Sequence, residues 1–215
     1  LLDGMIKWCV QEKIINQSDT LEDFQRLLQG KSLVHVGYKI EEYLVDRPQL
    51  RQCLKEVLHH QTRLWEMHRC LARLPFRGYI TTTYDTFIET AYSQIKQRRL
   101  SKFYTSSIHD AIVAYRKGSP FILKLYGDID NPDSLILARR LTKGLSVIGE
   151  QDQLHTLLSM SSVLYVGFEK TDPDFEVLSG IVKGTYVSRE DFIPWMISSE
   201  QPHKQKWESR SGASL

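Results

Sequence analysis

The stretch Tyr79-Ile-Thr-Thr-Thr-Tyr-Asp-Thr-Phe-Ile-Glu89 passes from a short β-branched run directly into a helical pattern. Residues 80–83 have the composition of a buried strand, whereas Phe87 and Ala91 recur at helical spacing. Asp85 stands where the N-cap of that helix belongs. Ligands of open α/β sheets bind where a strand ends and a helix begins. The stretch therefore predicts a ligand-binding strand end.

Two further segments repeat the pattern of an apolar strand followed by a turn. The first is Phe121-Ile-Leu-Lys-Leu-Tyr-Gly-Asp128. The second is Val163-Leu-Tyr-Val-Gly-Phe168, which is followed by a loop and by Asp172-Pro173. Asp at the N-cap and Pro at the first helical position predict a helix that starts there. The three strand ends together predict one constellation of polar residues.

Periodicity divides the chain into a helical part, an α/β part and a tail. Residues 1–74 read as helices with breaks near 16–19, 30–31 and 46–48, and residues 199–215 read as a polar tail. The α/β part covers residues 75–198. Its predicted strands lie near residues 79–83, 103–106, 111–115, 121–126, 134–137 and 162–168, with one more around 185–198.

In this order and spacing, the segments resemble the sirtuin-like (silent-information-regulator) domain of bacterial antiphage-defence NAD hydrolases. The family pattern is Thr-Thr-Asn-Tyr-Asp at a strand end, then Lys-Leu-His-Gly-Asp, then a Gly followed by Asp-Pro-Asp-Phe. This chain has Thr81-Thr82-Thr83-Tyr84-Asp85, Lys124-Leu125-Tyr126-Gly127-Asp128, and Gly167 with Asp172-Pro173-Asp174-Phe175.

The resemblance implies a Rossmann-like parallel sheet with a helical N-terminal subdomain that covers a nucleotide pocket. It implies one domain over residues 1–198. The family also opens with a strand and a Gly-rich turn whose amides approach the pyrophosphate. No such turn is found in this chain, and we expect residue 1 to follow it.

The same resemblance assigns the site. Thr83 replaces the family Asn that positions ribose and water, and Tyr126 replaces the family His. A Thr hydroxyl lacks the paired donor and acceptor of an amide, and Tyr, with an ordinary pKa of about 10, is a poor base at neutral pH. Asp85 lies near the nicotinamide carboxamide in the resemblance. The implied cofactor-binding residues are Thr81, Thr82, Tyr84, Asp85, Gly127, Asp128, Gly167 and Asp172.

These substitutions lead us to expect an NAD-binding domain with weakened or lost NAD+ glycohydrolase activity. A non-catalytic regulatory or assembly module and an unrelated Rossmann-like nucleotide-binding domain are the alternatives. Engineered silencing would also explain Thr83 and Tyr126. The stretch Ala138-Arg-Arg-Leu-Thr142 departs from the family too, which favours natural drift.

Composition narrows the classes of partner. The chain has 215 residues, a net charge of +2 and no apolar run that could span a bilayer, so we expect a cytoplasmic protein that does not contact nucleic acid directly. Homo-oligomers and defence-complex partners are family expectations. The three cysteines, Cys9, Cys53 and Cys70, are isolated and read as buried thiols, and the histidines at 59, 60 and 68 lack a carboxylate at matching spacing. We therefore expect no metal site.

Overall fold

The computed structural model describes residues 2–15, 22, 24, 26, 33–44, 47–59, 64–137, 149–168, 172–185 and 195–197. The chain divides into two compact units, Leu1–Leu157 and Leu158–Leu215. The expectation of a single domain over residues 1–198 stays a prediction. The expected breaks near 16–19 and 30–31, the Ala138–Thr142 stretch and the tail at 199–215 lie wholly or largely outside the described residues.

The N-terminal part of the first unit is helical, as predicted. The helices whose bounds the structure describes there are α1 (Leu2–Gln11), α2 (Leu33–Tyr43), α3 (Arg47–His59) and α4 (Glu66–Arg73). Apolar residues at helical spacing meet in a common core, which includes Met5, Cys9, Ile40, Leu50 and Leu54. Of the helix break predicted near 46–48, residues 47 and 48 belong to the first turn of α3, where the missing N–H of Pro48 is tolerated, and residue 46 lies outside the described residues.

A parallel three-stranded sheet follows in the described part of the first unit. Its strands are β1 (Gly78–Thr81), β2 (Ser101–Tyr104) and β3 (Phe121–Lys124), in the order β1-β3-β2. The connecting helices are α5 (Phe87–Lys96) and α6 (Ile108–Arg116). All four residues of the central strand β3 are buried, because it is paired on both sides. The predicted α/β class with a Rossmann-like parallel sheet is confirmed.

The helical part packs against the chain that follows β3. Tyr84 and Leu135 belong to the same buried core cluster as α1, α2 and α3, and Tyr126, Ile129 and Leu137 pack against it. Arg51 of α3 donates a hydrogen bond from Nε to the carbonyl of Ile129 at 2.8 Å. The N-terminal helices therefore lie at the carboxyl edge of the sheet.

The second unit contains its own parallel strand pair. β4 (Leu164–Val166) pairs with β5 (Trp195–Ile197), and the helix α8 (Pro173–Thr185) connects them in sequence. The helix α7 (Glu150–Ser159) contains the boundary between the two units, which falls between Leu157 and Leu158. Asp172 Oδ1 accepts a hydrogen bond from the N–H of Asp174 at 2.8 Å, which confirms the predicted helix start at Asp172-Pro173.

Two predicted strands are wrong. Residues 111–115 lie inside α6, whose buried residues Ile108, Ala111 and Ile112 repeat at helical spacing. A short apolar run does not by itself distinguish a strand from a buried helix. Residues 134–137 are not a strand either, because Pro132–Ser134 form a 3₁₀ turn and residues 135–137 continue without strand pairing.

The remaining strand predictions hold with shifted ends. β2 begins two residues before the predicted 103 and ends at 104, and β4 is shorter than the predicted 162–168. The strand predicted around 185–198 is confirmed at 195–197, while Thr185 still belongs to α8. None of the described helices combines the length and the hydropathy needed to cross a membrane.

Gly127, in the turn after β3, offers a test of this architecture. Its φ is +86°, and a Cβ added there would lie 2.1 Å from the carbonyl oxygen of Ser134. Replacing it with Ala combines a left-handed backbone penalty with a backbone clash. We expect Gly127→Ala to lower the free energy of unfolding by more than about 2 kcal/mol, measured by urea denaturation.

Gly118 provides the matched control. Its φ is +68°, but nothing lies within 4 Å of an added Cβ. Gly118→Ala should therefore show only the backbone penalty of about 1 kcal/mol. Equal losses in the two variants would contradict the close packing of the Gly127 turn.

Candidate functional site

The chain that leaves β1 forms a threonine turn at the carboxyl edge of the sheet. The carbonyl of Thr81 accepts a hydrogen bond from the N–H of Leu125 at 2.9 Å, which extends the pairing of β1 with β3 by one residue. Thr83 donates its N–H to Thr81 Oγ1 at 3.1 Å, and the two hydroxyl oxygens lie 3.0 Å apart. Thr83 is exposed, and Thr81 and Thr82 are half-buried. The hydroxyl of Thr83 is thus already engaged within the turn.

Tyr84 joins this turn to the chain after β3. Its side chain is buried, and its hydroxyl donates to the carbonyl of Ile136 at 2.9 Å. Its own carbonyl accepts the N–H of Ile129 at 3.0 Å. Since both partners belong to the segment that follows β3, Tyr84 fixes one strand end against the other.

Asp85 closes the first motif. Its Oδ1 accepts the N–H of Phe87, the first residue of α5, at 3.0 Å. The carboxylate therefore satisfies a helix N-terminal donor as predicted, although Thr86 occupies the N-cap position itself. Its backbone carbonyl accepts a hydrogen bond from Lys124 Nζ. Both ends of the residue are held in place.

The second motif follows β3 directly. Tyr126 is half-buried beside the helical core, and its carbonyl accepts the N–H of Ile136 at 3.0 Å. Gly127 makes the tight turn described above. Asp128 is fully buried, and its Oδ1 accepts the N–H of Asp130 at 2.7 Å. Hydrogen bonds within the segment that follows β3 therefore hold this polar turn in place.

Four ionisable side chains form what we call the charge cluster: Lys102, Lys124, Glu89 and Asp128. Asp128 Oδ2 pairs with Lys102 Nζ, and it lies 3.3 Å from Lys124 Nζ. Glu89 Oε1 lies 3.2 Å from Lys124 Nζ and 3.7 Å from Lys102 Nζ. Two ammonium groups and two carboxylates thus balance each other. Lys124 and Asp128 are fully buried, whereas Lys102 and Glu89 retain 29% and 16% side-chain exposure.

The pairing controls protonation in the cluster. Burial alone raises the pKa of Asp128, but the hydrogen bonds from Lys102 and from the N–H of Asp130, together with both lysine charges, bring that pKa below its ordinary value. Burial alone lowers the pKa of Lys102, but the hydrogen bond and charge of Asp128 and the charge of Glu89 raise it overall. Asp128 and Lys102 therefore stay ionised at neutral pH.

The structure brings together the predicted residues of the first two motifs. The segments 81–85 and 126–128 leave neighbouring parallel strands at the same edge. Gly167 and Asp172 belong to the second unit, where Gly167 follows β4 with a φ of +78° and Asp172 precedes α8. Whether these ten residues bind a ligand stays a prediction.

The charge cluster is not apparent from the sequence. Lys124 and Asp128 belong to a sequence motif, but nothing in the sequence marks Glu89 as a partner of Lys124 or Lys102 as a partner of Asp128. A usable signal existed, because a lysine in the central apolar strand Phe121–Lys124 must be paired when buried. What the sequence does not reveal is which distant carboxylates supply the pairing.

The remaining ionisable candidates lie elsewhere. In the part of the chain that the structure describes, no group of three or more His, Cys, Asp or Glu residues could hold a metal ion. Cys9 and Cys53 are buried, as expected, and the hydrogen bond between them and burial raise the pKa of Cys53. Cys70 is exposed, so the prediction that it is buried is wrong. His68 Nδ1 accepts the N–H of Trp65 at 3.2 Å.

Comparisons with known proteins agree with the motif resemblance. A family model described as a SIR2-like domain matches residues 77–212. The chain is 28% identical over 153 residues to the NAD(+) hydrolase ThsA of Bacillus cereus (strain MSX-D12), which covers 69% of this chain and 31% of that protein. It is 30% identical over 150 residues to the NAD(+) hydrolase ThsA of Enterococcus faecium. That alignment covers 67% of this chain and 30% of the relative.

A third relative, the NAD(+) hydrolase ThsA of Cytobacillus dafuensis, is 27% identical over 137 residues, covering 61% of this chain and 26% of that protein. The chain thus spans less than a third of the length of these curated relatives. The predicted sirtuin-like family is confirmed. The replacement of the family Asn and His by Thr83 and Tyr126 stays a prediction.

The charge cluster predicts a large effect for Asp128→Asn. The substitution leaves two lysines, one of them fully buried, with only Glu89 to balance them. Breaking a buried pair in this way costs about 3–5 kcal/mol, and we expect that loss in the free energy of unfolding measured with urea. Asp130→Asn is the matched control, since that carboxylate is 60% exposed and lies 3.9 Å from Arg51. It should change stability by less than about 1 kcal/mol.

The stability difference between the natural chain and Asp128→Asn should depend on pH. Because the pKa of Asp128 is lowered by folding, its stabilising contribution is fully present above its unfolded pKa of about 3.9 and is lost as the pH falls through the folded value. The difference in unfolding free energy between the natural chain and Asp128→Asn should therefore shrink below about pH 4. A difference that stays constant from neutral pH to pH 3 would contradict an ionised Asp128.

Proposed function

Because this chain belongs to the SIR2-like domain family, we propose that it is the NAD-binding domain of a bacterial defence protein and that its NAD+ glycohydrolase activity is weakened or lost. One observation carries the proposal. The segments Thr81–Asp85 and Lys124–Asp128 leave adjacent parallel strands at their carboxyl ends, where ligands of α/β sheets bind. The similarity to proteins named NAD(+) hydrolase supports NAD as the ligand.

The proposed roles follow the geometry of the two turns. Asp85 faces the nicotinamide carboxamide, and its orientation is fixed by the hydrogen bond that Oδ1 accepts from Phe87. Thr81, Thr82 and Tyr84 shape the first turn. Gly127 and Asp128 shape the second turn, with Gly127 allowing the backbone to fold closely over Ser134. Gly167 and Asp172 are proposed as cofactor-binding residues on the sequence pattern alone.

Weak catalysis follows from the two substituted positions. Cleavage of the bond between nicotinamide and ribose needs a positioned water and a group that orients the ribose. Thr83 Oγ1 lies 3.0 Å from Thr81 Oγ1, so its hydroxyl is committed to a local contact. Tyr126 presents a phenol where an imidazole would accept a proton near neutral pH. We propose that the site retains affinity for NAD and has lost most of its ability to activate water.

The N-terminal helices pack beside the two turns of the proposed site. Helices α1, α2 and α3 share a buried core with Tyr84 and Leu135, and they contact the chain after β3. We propose that these helices cover the nucleotide pocket. The proposal involves no metal. A cytoplasmic location and assembly with copies of itself or with a defence-complex partner are further parts of it.

Thr83→Asn combined with Tyr126→His is the direct test. We expect the natural full-length protein to bind NAD and to release little nicotinamide, because binding groups remain while the water-activating pair is replaced. The double variant should release nicotinamide at least about tenfold faster, since a positioned general base contributes about 10²–10⁴-fold. Nicotinamide is quantified by chromatography, and NAD binding is measured by calorimetry.

The single variants and Thr82→Asn serve as controls. Thr82→Asn places the same amide one residue away and should restore nothing. Fast release by the natural protein would refute the loss of activity. If NAD binds but no variant releases nicotinamide, the alternative of a non-catalytic regulatory or assembly module is favoured. If neither the natural protein nor the double variant binds NAD, the proposed ligand is refuted.

A further inference from the structure

Lys124 lies at the end of the central strand, and its side chain is fully buried. Its ammonium group contacts three different segments of the chain. It donates to the backbone carbonyl of Asp85 in the loop after β1, lies 3.2 Å from Glu89 Oε1 in the first turn of α5, and lies 3.3 Å from Asp128 Oδ2 after β3. One buried cation therefore connects both sequence motifs with the helix between them.

The charge of Lys124 is not explained by stability alone. An ammonium group removed from water loses several kcal/mol of solvation, and well-packed apolar residues often stabilise a core as well as a buried ion pair does. Lys102 already pairs with Asp128 and lies near Glu89. What distinguishes Lys124 is its hydrogen bond to the Asp85 carbonyl, a contact to the backbone of a motif residue.

We propose that Lys124 is a positioning residue, which holds the backbone of Asp85 so that its carboxylate faces the nicotinamide end of bound NAD. This inference rests on the proposed function. Lys124 does not touch the ligand in this account. It acts through Asp85, whose carboxylate is fixed from the other side by the N–H of Phe87. Loss of the ammonium group would release the carbonyl and let the carboxylate shift.

A purely structural role makes a different prediction. If Lys124 only stabilised the fold, its loss would weaken every ligand of the site to the same extent. A positioning role confines the loss to ligands that carry nicotinamide. ADP-ribose contains the rest of NAD without that group, so the ratio of the two affinities separates the two roles.

The charge cluster allows a matched pair of variants. Lys124→Met combined with Glu89→Gln removes one cation and one anion, and it leaves Lys102 paired with Asp128. Lys102→Met combined with Glu89→Gln also removes one of each, and it leaves Lys124 paired with Asp128 and bonded to Asp85. Both doubles keep the cluster neutral, which protects folding. They differ in whether the Asp85 carbonyl is held.

The dissociation constants of carba-NAD and ADP-ribose are measured by calorimetry on the natural full-length protein and on each variant. Carba-NAD is used because its nicotinamide bond is not hydrolysed. We expect the Lys124 double variant to bind carba-NAD about tenfold more weakly, the effect of losing about one charge-assisted hydrogen bond, with ADP-ribose unchanged within about twofold. The Lys102 double variant should keep the natural ratio of affinities.

Asp85→Asn shows whether the proposed function or the inference is at fault. Asn remains a good acceptor for the helix N-terminus, so α5 should keep its start. Asp85→Asn should lower the affinity for carba-NAD, and adding it to the Lys124 double variant should cause little further loss.

Each result has a distinct meaning. In one outcome, Asp85→Asn lowers the affinity for carba-NAD relative to ADP-ribose, while the Lys124 double variant keeps the natural ratio of the two affinities. That outcome overturns the positioning role and leaves the proposed function standing. Equal weakening of both ligands by both double variants also overturns it, since that is a structural effect. No carba-NAD binding by the natural protein overturns the proposed function and the positioning role together.

Discussion

The geometry of the candidate site depends on the interactions that the buried ammonium group of Lys124 makes at the carboxyl edge of the sheet. A lysine in the middle of a sheet is tolerated only when its charge is matched and its three donors have acceptors. Here the acceptors come from three segments that are distant in sequence: Asp85, Glu89 and Asp128. The parallel register that pairs Thr81 with Lys124 places the ends of β1 and β3 side by side, and the one cation connects the loop after β1 and the first turn of α5 to that point.

The hydrogen bonds of Tyr84 complement this electrostatic constraint. The phenol donates to Ile136 and the carbonyl accepts from Ile129, so the chain after β3 must fold back over the end of β1. The reversal is possible only because Gly127 adopts a positive φ within contact distance of Ser134. The helical part then packs on the outside of this reversed segment through the core around Leu135. A change at any of these contacts would move the proposed ligand-binding turns.

Local chemistry made much of this fold predictable. Strands β1, β3 and β4 and the helix start at Asp172 were legible because β-branched runs, glycine turns and an Asp-Pro pair act over a few residues. Residues 111–115 were misread because Ala-Ile-Val-Ala-Tyr fits a strand by composition and a buried helix by spacing. The positions of the two motifs followed from the parallel sheet. The charge cluster could not be predicted in this way, because pairing between charges that are distant in sequence is decided by tertiary packing.

The charge cluster and the two positions proposed to be substituted, Thr83 and Tyr126, bear differently on the proposed function. The charge cluster, Tyr84 and Gly127 determine where the backbone of the two turns lies, and none of them includes Thr83 or Tyr126. Two hydrogen bonds that shape the edge use the backbone N–H of Thr83 and the backbone carbonyl of Tyr126, and a change of either side chain would keep these backbone groups. An exposed Thr83 in particular is held through Thr81 by its own backbone N–H, a bond that an Asn at the same position would also make. Architecture and chemistry are therefore separable here, so the proposed loss of hydrolysis is compatible with the proposed NAD-binding edge.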